Sequence, residues 1–493
     1  MSTISLPDHP SLGYLKQQAR ALQQDVRAGT AEAIERVESR YPSGATDREA
    51  FPLATAQLVI AREYGFPSWP RLKKFVEISG SYRWEVRTDA PDGESVAARF
   101  CRLACLIYTR GDGPDRWAQA RDLLTQQPNL VENDIWAAAA AFDAATVERL
   151  LVDDPSLARK GGGPYGCSPL FYLSYSRIAR DVPRDTLLGI AHRLLEAGAD
   201  PNEGYLWNGG PYPFTVITGV FGEGEQGPDN QPRQAHAQDL ARLLLESGTN
   251  ANDSQTLYDR MFQPGNEHLE LLFEYGLGGD GGTWEERMGE TPAEMLRTQL
   301  KWAIQHGLLD RVRLLAANGV DVLSPYDDGG TPIELATVNG HAAIADVLAA
   351  AGAERPTLDP VAAVIAAAMA GDRTTLEAHP DAVAEARSAR PGLLVWAAAQ
   401  GRIDAVATML DHGWDVNARG RSDVPEECDF TTALHCAAGD GNVELTKLLL
   451  ERGADQSLRD NNFDATPLGW AEHFERTETI ALLSGGNDAD TDH

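Results

Sequence analysis

A helix-opening threonine followed nine residues later by a glycine is the feature of this chain that most narrows its fold. Thr432-Ala433-Leu434-His435-Cys436-Ala437-Ala438 runs to Gly441, then to Leu448-Leu449-Leu450 and Gly453-Ala454-Asp455. Thr466-Pro467-Leu468 restarts the pattern 34 residues after Thr432. Upstream, Gly330-Thr331-Pro332-Ile333 leads to Asn339-Gly340-His341, Val347-Leu348 and Gly352-Ala353, again with nine residues from Thr331 to Gly340. Threonine is a good helix N-cap, and proline in the first turn lacks only an N–H that has no helical partner. Glycine ends each helix where a left-handed residue is needed. The unit therefore reads as two short antiparallel helices and an extended turn. One such hairpin cannot bury its apolar face alone, whereas stacked copies share a continuous core.

Weaker copies fill much of the chain. Ser168-Pro169-Leu170-Phe171 leads to Gly198-Ala199-Asp200, and Leu243-Leu244-Leu245 precedes Gly248. Leu271-Leu272 precedes Gly276, Leu314-Leu315 precedes Gly319, and Val395-Trp396-Ala397-Ala398 leads to Gly401 and Gly413. Degraded units run over 133–158 and 361–386. The Thr-Pro-Leu-His and Gly-Ala-Asp signatures, recurring at a period of about 33 residues, resemble the ankyrin repeat. The resemblance implies an all-α solenoid of roughly ten stacked helical hairpins. It also implies recognition of a protein partner through the concave face and loop tips, and a structural hydrogen bond for His435.

The start of the chain is not repetitive. Residues 12–26, 31–39, 51–64 and 69–78 read as amphipathic helices. The stretch from Ala54 to Trp69, with Arg71-Leu72 after it, is similar to the small helical module that precedes many bacterial ankyrin arrays. An open stack needs a polar cap, which this module can supply. The expected organisation is a capping module at 1–80, a linker at 81–95, the array at 96–485 and an acidic, frayed tail at 486–493.

Departures from the repeat point to function, because insertions in a solenoid gather on one face. Thr432 to Gly453 is 21 residues, but Ser168 to Gly198 is 30 and Tyr212 to Gly248, with Tyr212 in the threonine's place, is 36. Thr291 to Gly307 is 16 where nine is the rule, which also fits a longer first helix. The expected insertions are 171–190, 203–236, 283–300 and 418–431. The last, with Glu426, Glu427 and Asp429, reads as a solvated acidic hairpin tip.

Between 165 and 310 the extra segments bring aromatics beside carboxylates, which suits a cationic or sugar-like ligand. The candidate partner- or ligand-binding residues are Tyr205, Trp207, Tyr212, Phe221, Glu223, Glu225, Asp253, Tyr258, Arg260, Trp302 and His306. The competing interpretation is that the aromatics plug a poorly covered core and the acids are solvated.

Chemical motifs are sparse. Gly161-Gly162-Gly163-Pro164 lacks the lysine and hydroxyl residue of a phosphate loop, and neither a His-Glu-x-x-His nor a Gly-x-Ser-x-Gly pattern occurs. No metal site or cofactor is expected. An alternative reading makes Glu223, Glu225, Asp253 and His306 acid–base groups of a small-molecule-binding protein or hydrolase- or isomerase-like enzyme. Acids outnumber bases 73 to 43, for a net charge of −30. That field repels nucleic acid and anionic membranes and favours basic partners. Five scattered cysteines make no disulfide framework, and the longest apolar run, 361–370, is about half a membrane span. A cytoplasmic monomer is the resulting expectation.

Overall fold

The computed structural model describes residues 11–41, 48–66, 68–79, 93–207, 213–279 and 291–485. The chain is mostly α-helical, with two short antiparallel strand pairs. It forms two compact units, Met1–Leu296 and Arg297–His493.

In the first unit, helices Leu12–Arg27, Ala31–Arg40, Leu53–Glu63 and Trp69–Ser79 lie close to their expected bounds. Their apolar stripes meet in a core of their own that includes Leu15, Leu22, Val37, Phe51, Ile60 and Leu72. Arg36 clasps the buried carboxylate of Glu63 through two bonds of 2.9 Å. After residue 93, helices alternate in position. Val96–Ala104, Ile135–Ala140, Pro169–Tyr175, Val216–Phe221 and Ser254–Met261 pack in succession. Their followers Ala144–Asp153, Arg184–Glu196, Ala237–Glu246 and Glu267–Glu274 do the same.

The second unit repeats this logic. Leu393–Ala399, Ala433–Asp440 and Pro467–His473 pack in one row, and Ile403–Asp411, Val443–Glu451 and Thr477–Ser484 in another. Thr331 caps helix Pro332–Val338 reciprocally with Glu334, and Pro332 opens it. The 361–386 segment departs from a two-helix unit, since it folds as three helices, Pro360–Ala370, Arg373–Ala378 and Pro380–Ala389. His435 is buried. Its Nε2 donates to the Ala465 carbonyl (3.0 Å), leaving Nδ1 to accept from Thr432 Oγ1 (2.7 Å).

Glycine is needed where successive hairpins touch. Gly340 has φ +69°, and a Cβ there would stand 2.8 Å from the Ala370 nitrogen. Gly453 has φ +86° but open space around it. Both Gly340→Ala and Gly453→Ala force an L residue into the left-handed region, yet only the first also pushes on backbone. Gly340→Ala is expected to lose roughly 1–3 kcal/mol more than Gly453→Ala in thermal or urea unfolding. Equal losses would show that the close approach carries no energy.

The insertions fold differently from their sequence boundaries. Residues 171–175 belong to helix Pro169–Tyr175 and 184–190 to helix Arg184–Glu196, so the connection of that unit is 176–183. The 203–236 segment is two features. Gly204–Leu206 and Pro213–Thr215 pair as a hairpin before the next first helix, and the connection between helices follows it, with Gly227–Asn230 as one helical turn. The cap of that first helix is Thr215, three residues past Tyr212, in a reciprocal box with Thr218. At Thr291 the extra length is helix, Pro292–Gln305. The 418–431 segment is a hairpin closed by Arg419–Gly420 and Thr431–Thr432.

Candidate functional site

The overlong connections of the first unit neighbour one another. Arg177 Nε donates to the Pro232 carbonyl (2.6 Å), and Gln234 Nε2 donates to the carbonyls of Leu173 (2.6 Å) and Ser176 (3.1 Å). The aromatics are mostly interior. Helix Pro169–Tyr175 is buried throughout and supplies Phe171, Tyr172 and Tyr175. Tyr205 is fully buried, stacks on Phe214 at 5.4 Å and meets Phe171 edge-on at 5.8 Å. Phe221 is buried against His268. Trp207 is 38% exposed, and its Nε1 donates to the Ile107 carbonyl (3.1 Å). Tyr212, like 283–290 of the 283–300 segment, lies outside the described residues.

The charged candidates of this unit pair with one another or with the frame. Glu223 is buried with positive φ (+57°), and its carboxylate contacts Arg233 Nε (2.6 Å) and Arg260. Arg260 is fully buried and reaches Glu267 at 3.5 Å, while Arg233 bridges to the same Glu267. Burial pulls the Arg260 guanidinium down to about 10. Asp253 is a buried N-cap: it accepts from Thr256 N (2.8 Å), Thr215 Oγ1 (2.7 Å) and Thr218 Oγ1 (3.0 Å), and burial raises its pKa. Tyr258, 40% exposed, donates to Glu225 Oε1 (2.8 Å), so these two candidates do come together at the surface.

Trp302 and His306 belong to the second unit. They stack at 3.7 Å, and His306 meets Trp396 edge-on at 5.3 Å. The His306 ring nitrogens lie 2.9 Å from the Trp302 carbonyl and 3.0 Å from that of Asp423, and burial lowers its pKa. The 418–431 hairpin keeps Glu426, Glu427 and Asp429 exposed, as a solvated tip does, while tying its acids to arginines. Glu427 takes Arg390 Nε and the Gly392 N–H, each at 2.8 Å, and Asp423 and Glu426 take Arg421.

The structure adds several polar and aromatic groups to these candidates. Asp112 is buried and accepts from Ile107 N (3.1 Å), Arg116 (2.7 Å) and Gln231 Nε2 (3.0 Å). Asp259, buried two turns into its helix, bonds Gln255 (2.8 Å), and burial holds its carboxyl well above the usual range. In the second unit Phe430, Phe463, Trp470 and Phe474 form a run of rings at the surface, with Phe463 63% and Phe474 46% exposed. A signal for this run existed, because Phe430 and Phe463 stand 33 residues apart, one repeat period. A cleft of about 550 Å³ also opens at the helix junctions of this unit, lined by Gly340, Ala370, Gly401, Arg402, Asp404 and Glu444 among others. Among the described residues no group of three or more His, Cys, Asp or Glu side chains is placed to hold a metal, and no helix is long and apolar enough to cross a membrane.

The family match bears on the C-terminal part. Residues 394–493 match the family model for ankyrin repeats, which spans three copies. The chain is 32% identical over 155 residues to the ankyrin repeat and KH domain-containing protein mask-1 of Caenorhabditis elegans, covering 31% of this chain and 6% of that protein. It is 43% identical over 75 residues to potassium channel AKT1 of Oryza sativa subsp. indica, covering 15% of this chain and 7% of the channel. The chain thus spans a small fraction of the relatives it matches.

Proposed function

We propose that this chain is a recognition scaffold of roughly ten ankyrin-type hairpins, capped by its N-terminal helical module, that binds a protein partner through first-helix faces and hairpin tips. The observation that carries this reading is the run of ankyrin repeats at 394–493, whose described residues, 394–485, fold as two rows of stacked helices. A net charge of −30 adds the chemistry of the partner, a basic surface or segment drawn in by long-range attraction. The small-molecule alternative draws less support. Glu223 and Asp253, two of its four acid–base candidates, have internal cations or hydroxyls as partners. Its remaining foothold is the exposed Tyr258–Glu225 pair.

The test is crosslinking of the full chain in a lysate of its source organism at low and at high salt, with peptide-level mapping. The expected result is a discrete protein joined to residues 394–485 when crosslinked at low salt and not when crosslinked at high salt. Crosslinks confined to the first unit, or none that high salt prevents, would overturn the reading.

A further inference from the structure

The run of rings in the second unit has a geometry of its own. Neighbouring centroids are 6.0 Å apart from Phe463 to Phe430, 6.0 Å from Phe430 to Trp470 and 6.5 Å from Trp470 to Phe474. The rings are fixed from beneath. Buried Asp460 accepts from Trp470 Nε1 (2.9 Å) and also from the backbone N–H groups of Asn462 (2.9 Å), Phe463 (2.6 Å) and Ala465 (3.1 Å). One carboxylate therefore sets both the indole and the hairpin tip that carries Phe463. The Phe430 carbonyl is held by Asn461 N and Arg419, each at 3.0 Å. A frame of this kind lowers the ordering cost of binding.

Acids border the run. Glu472 and Glu475 flank Phe474 in sequence, both are exposed, and neither makes an ion pair among the described residues. The cations beside the run are already engaged: Arg476 lies 6.0 Å over the Phe474 ring and donates through Nε to the Gly439 carbonyl (2.9 Å), Arg419 pairs with Asp429 (3.4 Å) and Arg459 with Asp464 (3.5 Å). An apolar partner would strip water from these carboxylates and return nothing. A cationic side chain suits both the ring faces and the acids.

We propose that Phe463, Phe430, Trp470 and Phe474 form a docking track for an extended segment that carries arginine or lysine at alternate positions. Side chains on one face of an extended strand recur about every 6.6–6.8 Å, close to the 6.0–6.5 Å between neighbouring rings. Alternate cations then sit beside successive rings, with Glu472 and Glu475 neutralising the one at Phe474. The proposal deepens the basic-partner reading given above and rests on it.

The experiment is fluorescence anisotropy of two labelled synthetic peptides of identical composition, one with arginine and serine alternating and one with the arginines clustered, titrated with the full chain. The alternating peptide is expected to bind about tenfold more tightly than its isomer. Phe463→Ala and Phe474→Ala, both at exposed positions, are each expected to weaken it about tenfold with unchanged melting. Phe463→Tyr keeps a ring face and should retain binding. Equal affinity for the two peptides, or alanine variants that bind like wild type, overturns the track and leaves a general basic-partner role standing. If neither peptide binds the wild-type chain, both the track and the basic-partner reading fail.

Discussion

Glu223→Leu is expected to destabilise the first unit by about 3–5 kcal/mol, read as a shift in its urea midpoint. The reason is the charge it leaves behind. Arg260 is fully buried, and its remaining partner, Glu267, is 3.5 Å away and partly exposed. A guanidinium in that position loses its hydration without full compensation, which is the costly way to break a buried pair. Burial already draws Arg260 down to about 10 with Glu223 present. Arg260→Met alone is expected to cost less, since Glu223 keeps Arg233 at 2.6 Å. The double variant Glu223→Leu, Arg260→Met removes the stranded charge and is expected to recover most of the loss. A ligand-binding role for Glu223 predicts the reverse pattern, lost binding with an unmoved midpoint. Equal midpoints for wild type and Glu223→Leu would remove the structural role assigned to the cluster.

This cluster also shows where sequence reasoning stops. Local signals are strong enough to be read directly: Thr331, Pro332 and Glu334 announce a capped helix and form one, and the four N-terminal helices fall near their expected ends. The position of His435 in its motif is enough to foresee a structural bond. What the sequence cannot rank is which of several plausible caps is used. Tyr212 stands in the threonine's place by the repeat ruler, yet Thr215 caps the helix. The decisive partner of Thr215 is the Asp253 carboxylate, 38 residues away, at 2.7 Å. Pairing of charges is non-local in the same way. Glu427 reads as a solvated acid and is exposed, but nothing local announces Arg390, 37 residues earlier, 2.8 Å from it. Aromatic residues are ambiguous for a different reason. Tyr205 and Phe463 sit in similar turn-rich surroundings, but one is fully buried and the other 63% exposed, because only Tyr205 has Phe171, Tyr175 and Phe214 to pack against.

Acidification is expected to weaken the second unit through His341. Its Nε2 donates to the Gln305 carbonyl (3.1 Å) and its Nδ1 accepts from Arg402 (2.7 Å), an arrangement that requires the neutral ring. Burial first, and the Arg402 charge second, hold its pKa at about 4 against an ordinary 6.5. The unfolded chain therefore takes up the proton before the folded one. The stability this contributes is fully present above about pH 6.5 and is lost as pH falls towards 4. The shift corresponds to roughly 3 kcal/mol at most. His306 and His435, whose pKa values burial also lowers, act in the same direction. Glutamine can donate to Gln305 and accept from Arg402 without titrating, so His341→Gln should match wild type near neutral pH and outlast it as the pH approaches 4. The measurement is the difference in melting temperature between the two proteins across that range. Because carboxylates elsewhere titrate equally in both, the difference isolates this one ring, and melting curves that fall in parallel would mean that His341 is protonated in the folded protein as readily as in the unfolded chain.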